Sequence, residues 1–232
     1  MTDPLTRIEQ NLADLRGRIA VAAARAGRAA EEITLVGVTK YVGAEDARAL
    51  VEAGCGELGE SRPQVLWEKA ESLTGCGARW HLIGHLQRNK VRRTLPVVSM
   101  IQSVDSRRLI EALDAEASAA NRRVRMLLEV NVSGDSSKHG FPPGEMPAVV
   151  RSLAGLAGVE VRGLMTMAGR TTGAEGARRD FAALRELRDR LRPLCPDGVV
   201  LDELSMGMSG DFETAIEEGA TIVRVGSALF EV

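Results

Sequence analysis

Apolar and β-branched runs recur along the chain with polar stretches between them. They are ITLVGVT (residues 33–39), GELGE (56–60), WHLIG (80–84), VVSMIQSV (97–104), RMLLEVNV (125–132), VEVRGLMTM (159–167), VLDELSMG (200–207) and TIVRVG (221–226). Short, nearly continuous apolar runs of this kind read as buried strands. The intervening segments carry a helical period. SRRLIEALDAEASAANRR (106–123) begins at a Ser that can cap it and puts Leu109, Ala112, Leu113 and Ala117 on one face. ARRDFAALRELRDRLRPL (177–194) does the same with Phe181, Leu184, Leu187, Leu191 and Leu194, and stops near Pro196. A further helix precedes the first strand: Asp3 can cap it, Pro4 fits its first turn, Ile8, Leu12, Leu15 and Ile19 form its stripe, and Gly27 closes it. Strands that alternate with helices run parallel, because each helix returns the chain to the same edge. Eight of them in 232 residues predict an α/β fold: a single (β/α)8 TIM barrel with an additional N-terminal helix, occupying residues 1–232 as one domain.

Composition narrows the functions available. The formal net charge is −2, basic residues are scattered and aromatic residues make up 3% of the chain, so a nucleic-acid surface is not expected. The start, MTDPLTRIEQNLADL, is charged where a signal peptide is apolar, and no apolar run approaches the ~20 residues of a membrane span; a cytoplasmic protein that does not bind membranes is expected. Cys55, Cys76 and Cys195 are odd in number and far apart, which suits reduced thiols rather than disulfides or a zinc site. No carboxylate or Cys lies at metal-ligand spacing around His81, His85 or His139, so no metal site is expected and His85 is read as structural.

The chemistry begins at the end of the first strand. Lys40 closes ITLVGVTK, and in such a barrel the C-terminal strand ends converge on the mouth where ligands bind. A lysine there is either a snorkelling rim charge or a Schiff-base lysine. Across the mouth, LSMGMSGD (204–211) and VRVGSALF (223–230) follow the seventh and eighth strands, where barrels commonly hold phosphate. Ser205, Ser209 and Ser227 offer hydroxyls, while Gly207 and Gly210 permit tight turns; SGD also reads as an ordinary helix start. Arg224 is a lone charge in an apolar strand. It requires a partner, either a strand carboxylate such as Glu129 or Asp202, or a ligand in the mouth. Lysine, phosphate loops and buried arginine together describe a pyridoxal phosphate site.

The segments VGVTKY, LGESRPQ, WHLIGHLQRNK, SVDS, LLEVNVSGDSSKHG, RGLMTM, LSMGMSGDFETAIEEGAT and VRVGSALF run nearly end to end. On them the chain resembles the pyridoxal phosphate homeostasis protein family, YggS-like relatives of the alanine racemase N-terminal barrel. The resemblance implies a monomeric or weakly associating barrel with pyridoxal 5′-phosphate held as a Schiff base on Lys40. It places the phosphate at Ser205, Ser209, Gly226 and Ser227, the pyridine nitrogen by Arg224, and His81 near the cofactor at the third strand end. Met165 of RGLMTM and Met206 of LSMGMSGD complete the candidate set. Ser61 stands where many relatives offer asparagine, His85 replaces a common proline, and Lys138 matches a family lysine whose alternative reading is a solvated loop charge.

The implied role is cofactor binding in vitamin B6 homeostasis and supply to apo-enzymes, without robust catalysis. A weak amino-acid racemase and a lysine Schiff-base aldolase acting on a phosphorylated substrate are the alternatives. Two-base racemization needs a second base on the opposite face, and the only tyrosine, Tyr41, adjoins Lys40.

Overall fold

Eight parallel strands close on one another in chain order. In the computed structural model, which describes residues 4–135, 137–169 and 173–231, they are β1 (Thr34–Val38), β2 (Glu57–Glu60), β3 (Arg79–Leu82), β4 (Met100–Val104), β5 (Val124–Glu129), β6 (Val159–Met165), β7 (Glu203–Ser205) and β8 (Ile222–Val225). Each falls inside or within a residue of an apolar run seen in the sequence. β4 starts at Met100, later than expected, because its ladder begins opposite His81. The barrel closes where β8 pairs with β1, setting Val36 beside Arg224 and Gly37 beside Val225.

The helices are α1 (Pro4–Arg25), α2 (Ala44–Glu52), α3 (Pro63–Ser72), α4 (Val91–Thr94), α5 (Arg107–Ala119), α6 (Met146–Arg151), α7 (Gly173–Leu191), α8 (Phe212–Glu217) and α9 (Ser227–Phe230). In α1, Ile8, Leu12, Leu15 and Ile19 are buried, and the helix packs against α2, α8 and α9 over the seam where the barrel closes. Gly27, at φ 67°, ends the segment with Arg28 N–H bonding Ala23 O. The expected Asp3 cap lies outside the described residues. Ser106 occupies the cap position of α5 but makes no side-chain capping bond.

Strand alternation divides the apolar core in two. Outward side chains such as Met126, Leu128, Leu164, Leu204, Val223 and Val225 join the helices in the main cluster. Inward ones, Val36, Met100, Leu127, Met165 and Ile222, fill the barrel with a small cluster of their own. Two residues further along their strands, the inward positions after Met100, Leu127 and Ile222 are Gln102, Glu129 and Arg224. The polar breaks in the apolar runs are therefore one interior layer towards the C-terminal mouth. Among the described residues, no helix is long and apolar enough to cross a membrane.

Candidate functional site

Lys40 lies two residues beyond β1, half-buried, with its ammonium 4.8 Å from the centroid of the exposed Tyr41 ring. Its backbone is held from below. Lys69, buried on α3, donates to Thr39 O at 2.6 Å and to Glu60 Oε2 at 2.8 Å, so a buried ion pair anchors the residue before Lys40. The same Glu60 carboxylate accepts from Ser61 N–H at 2.8 Å, fixing the turn that carries Ser61 beside the mouth. Neither Lys69 nor Glu60 stands out in the sequence, where each reads as an ordinary helix or strand-end charge.

Arg224 is 4% exposed. Its guanidinium donates to the Ser205 hydroxyl and, at 2.9 Å, to Thr166 O, both neutral acceptors. Asp202, one of the two carboxylates expected to pair with it, instead meets Arg192 on the surface at 3.2 Å. Glu129 and Asp211 attract the guanidinium through space. Burial nevertheless pushes it down to about 10, which leaves it charged at neutral pH.

From Arg224 a directional chain of hydrogen bonds crosses the barrel. Ser205 Oγ donates to Gln102 Oε1 at 2.6 Å, Gln102 Nε2 lies 2.8 Å from His81 Nδ1, and His81 Nε2 lies 2.9 Å from Glu57 Oε2. Donation runs one way if His81 is neutral with its proton on Nε2. Burial alone would raise Glu57, but the bonds from His81 and Arg79 outweigh it and hold its carboxyl below the ordinary range.

This chain corrects two expectations. His81 sits within β3, pointing to the closed lower end of the barrel rather than to the strand end, where with Glu57, Arg79, Arg125 and Glu203 it lines a cavity of ≈ 140 Å³. Ser205 is fully buried beneath the loops, its hydroxyl already engaged by Arg224 and Gln102, so it positions the arginine instead of reaching a phosphate. Met206, the next residue, must face the other way by strand alternation and packs among the helices, away from the mouth. Met165 lies inside the barrel in the small apolar cluster.

The two last loops do meet. Gly226 N–H donates to Ser209 Oγ at 3.3 Å, and Arg224 N–H to Gly207 O at 3.0 Å. Gly207 has φ 91°, and a Cβ there would come within 2.6 Å of Ala215 Cβ, so only glycine lets the β7 loop press onto α8. Ser209 is half-buried and Ser227 exposed. The helix start foreseen in SGD is present, with Asp211 at the cap position of α8, but Asp211 makes no side-chain capping bond and its Oδ1 accepts instead from Met208 N–H in the preceding loop at 2.6 Å. Lys138 is not a solvated loop charge. It donates to Met167 O at 3.0 Å and Ala168 O at 2.8 Å, tying the β5 loop to the end of β6.

Glu129, 4% exposed, has its carboxyl pushed up to about 7, first by burial and then by the Asp105 charge, against the attraction of Arg224. Its ordinary value is 4.5, so between those pH values the native protein keeps a proton that the unfolded chain releases. Stability should therefore fall as pH rises from 4.5 to 7, by about 3 kcal/mol at most from this group, and level off above. Urea unfolding across that range should show the slope in the native protein and its loss in Glu129→Gln; equal slopes would mean that Glu129 titrates normally.

A wider hollow of ≈ 500 Å³ lies at the N-terminal strand ends, lined by Arg16, Thr34, Cys55, Glu57 and Arg79 among others, and gathers none of the residues expected to hold a cofactor. Burial pushes the Cys55 thiol up to about 11, which makes it inert.

Residues 5–232 match the family model for the alanine racemase N-terminal domain. A pyridoxal phosphate homeostasis protein of Aquifex aeolicus is 40% identical over 221 residues, covering 95% of this chain and 96% of that protein. The chain belongs to the pyridoxal phosphate homeostasis protein family. Membership extends to animals: the family's Bos taurus protein is 39% identical over 209 residues, 84% of this chain and 76% of its own length. Among solved structures of the family, PipY of Synechococcus elongatus with PLP bound superposes with a TM-score of 0.86 at 34% identity, covering 97% of this chain and all of that one. An alanine racemase of Clostridium difficile shares the fold, with a TM-score of 0.76 at 15% identity over 98% of this chain and 57% of its own.

Proposed function

We propose that this chain is a cytoplasmic pyridoxal 5′-phosphate-binding protein that holds the cofactor at the barrel mouth through Lys40 and supplies it to apo-enzymes. Arg224 carries the reading: a buried fork, charged at neutral pH, whose fixed partners are neutral suits an unprotonated ring nitrogen, which would accept a hydrogen bond from it. The β1–β8 register sets Arg224 beside Val36 of β1, two residues beyond whose end Lys40 lies. Bound pyridoxal phosphate would supply an electrophilic aldehyde and an electron-withdrawing ring.

In this arrangement Lys40 would hold the cofactor through its aldehyde, Ser209, Gly226 and Ser227 would hold the phosphate, and Ser61 would flank the mouth. The relay through Ser205, Gln102, His81 and Glu57 fixes the guanidinium so that it donates without giving up its proton. Arg224 as donor would leave the ring nitrogen unprotonated and the ring a weak electron sink, which would favour storage over turnover. Tyr41 supports the same reading: it lies on the lysine's own loop, 89% exposed, and offers no base on the opposite face.

Two measurements test the proposal. Protein loaded with the cofactor, mixed with a pyridoxal-phosphate-dependent apo-enzyme, should restore its activity, and the protein alone should turn over neither L- nor D-alanine at an appreciable rate. Racemization at enzymatic rates would replace the carrier reading. Arg224→Ala should weaken cofactor binding by about ten- to a hundredfold in an absorbance titration, the worth of one charge-assisted hydrogen bond. Unchanged affinity and spectrum would make Arg224 purely structural.

A further inference from the structure

Three side chains from consecutive loops meet at the rim of the mouth, on the side away from the phosphate loops. His85 follows β3, Asp105 follows β4, and His139 lies on the loop after β5. His85 Nδ1 is 2.8 Å and His139 Nδ1 3.6 Å from the same Asp105 Oδ2, and the three ligand atoms lie within 4.8 Å of one another. We propose that this cluster is a transition-metal site of the zinc, cobalt or nickel class, with two imidazoles and one carboxylate as ligands and the remaining position open to the mouth.

The backbone builds the cluster. Gly84, just before His85, is so close to the β2 loop that a Cβ would fall 2.3 Å from Ser61 O. Gly140, just after His139, has φ 110°, and a Cβ there would fall 2.9 Å from Asn131 N. Each histidine is thus next to a glycine that no other residue can replace without moving the chain. The His139 loop is held at its base by Asn131 N–H to Phe141 O and Phe141 N–H to Glu129 O, and along its length by Lys138. Lys138 turns its ammonium to the carbonyls of Met167 and Ala168 just past β6, so it does not fill the site between the histidines. Asp105 is the most enclosed member, its side chain 9% exposed, whereas His85 and His139 are 44% and 62% exposed.

Hydrogen bonding leaves the group incomplete. Asp105 satisfies His85, but His139 Nδ1 at 3.6 Å is beyond a hydrogen bond, although its ring stacks on that of His85 with centroids 4.5 Å apart and planes 17° apart. A dication bonded at about 2.0–2.1 Å to two nitrogens and one oxygen separates those atoms by roughly 3.3 Å, between the two observed distances. Near-parallel rings share no in-plane point, so binding must swing one ring out of the stack, which their exposure permits. The nitrogen-rich donor set selects against magnesium and calcium, which take oxygen ligands. Linear spacing hid the site because its members come from three separate loops.

The test uses untagged, cofactor-free protein at pH 7.5, titrated with Co²⁺ in the visible and with Zn²⁺ by calorimetry. One equivalent should bind with the d–d absorption of a low-coordinate centre. His85→Ala and His139→Ala should each weaken it at least about tenfold with unchanged circular dichroism. A Cys76→Ser, Cys195→Ser variant should keep the equivalent, as should Lys40→Ala, and His85→Ala should still load pyridoxal phosphate. The proposal fails if no equivalent binds, if the histidine variants bind as the native protein does, or if the cysteine variant loses the metal.

Discussion

Lys40→Ala will fold as the native barrel does and form no borohydride-reducible adduct with pyridoxal phosphate. The lysine is half-buried at the rim, and its ammonium lies over the exposed Tyr41 ring, so truncation removes no core packing and leaves the thermal midpoint within a degree or two. What is lost is the amine that joins the aldehyde. Reduction followed by peptide mass mapping should find the pyridoxyl mass on the peptide containing Lys40 in the native protein and nowhere in the variant. An adduct of undiminished yield at another mouth lysine, such as Lys138, would remove Lys40 from the proposal. Noncovalent affinity should persist in the variant through Arg224 and the two last loops, which separates attachment from binding.

The second large effect is on stability. Lys69→Met should destabilise the protein by about 3–5 kcal/mol, because it strands the Glu60 carboxylate, fully buried, without its counter-ion. It also takes from Thr39 O, one residue before Lys40, the bond from Lys69 at 2.6 Å and leaves it only the one from Val42 N–H at 3.1 Å. The variant should therefore attach the cofactor more slowly even under conditions where it is folded. Replacing both partners, Lys69→Met with Glu60→Leu, should recover much of the loss, since an apolar pair removes the unpaired charge. Urea unfolding of the two variants decides the matter: a loss below about 1 kcal/mol for Lys69→Met would show that water reaches the pair.

The same geometry explains why the site's residues differ so much in visibility. Arg224 is conspicuous because strand periodicity makes any charge in TIVRVG anomalous. Gln102 and Ser205, which hold it in place, are unremarkable in composition and 103 residues apart, and they meet only because both point inward from opposite parts of the barrel wall. His81 misleads for a related reason. Its motif lies near a strand end in the sequence, but its ring faces down the barrel axis to Glu57, a direction set by where β3 enters the sheet.

What the amino-acid sequence determined by itself is whatever depends on local period and chain order: eight strands, their parallel direction, the helices between them, the additional helix Pro4–Arg25, and Lys40 at a strand end. These follow from side-chain spacing of two or about 3.6 residues and from the need to bury one face, both legible along a line. Register and strand curvature are not local. Only the closed barrel decided that Ser205 faces Arg224 while Met206 faces the helices, that Lys69 reaches Glu60, and that His85, Asp105 and His139 converge on one point. Each of these depends on which residues the curvature of a closed sheet brings opposite one another, a distance that sequence separation does not encode.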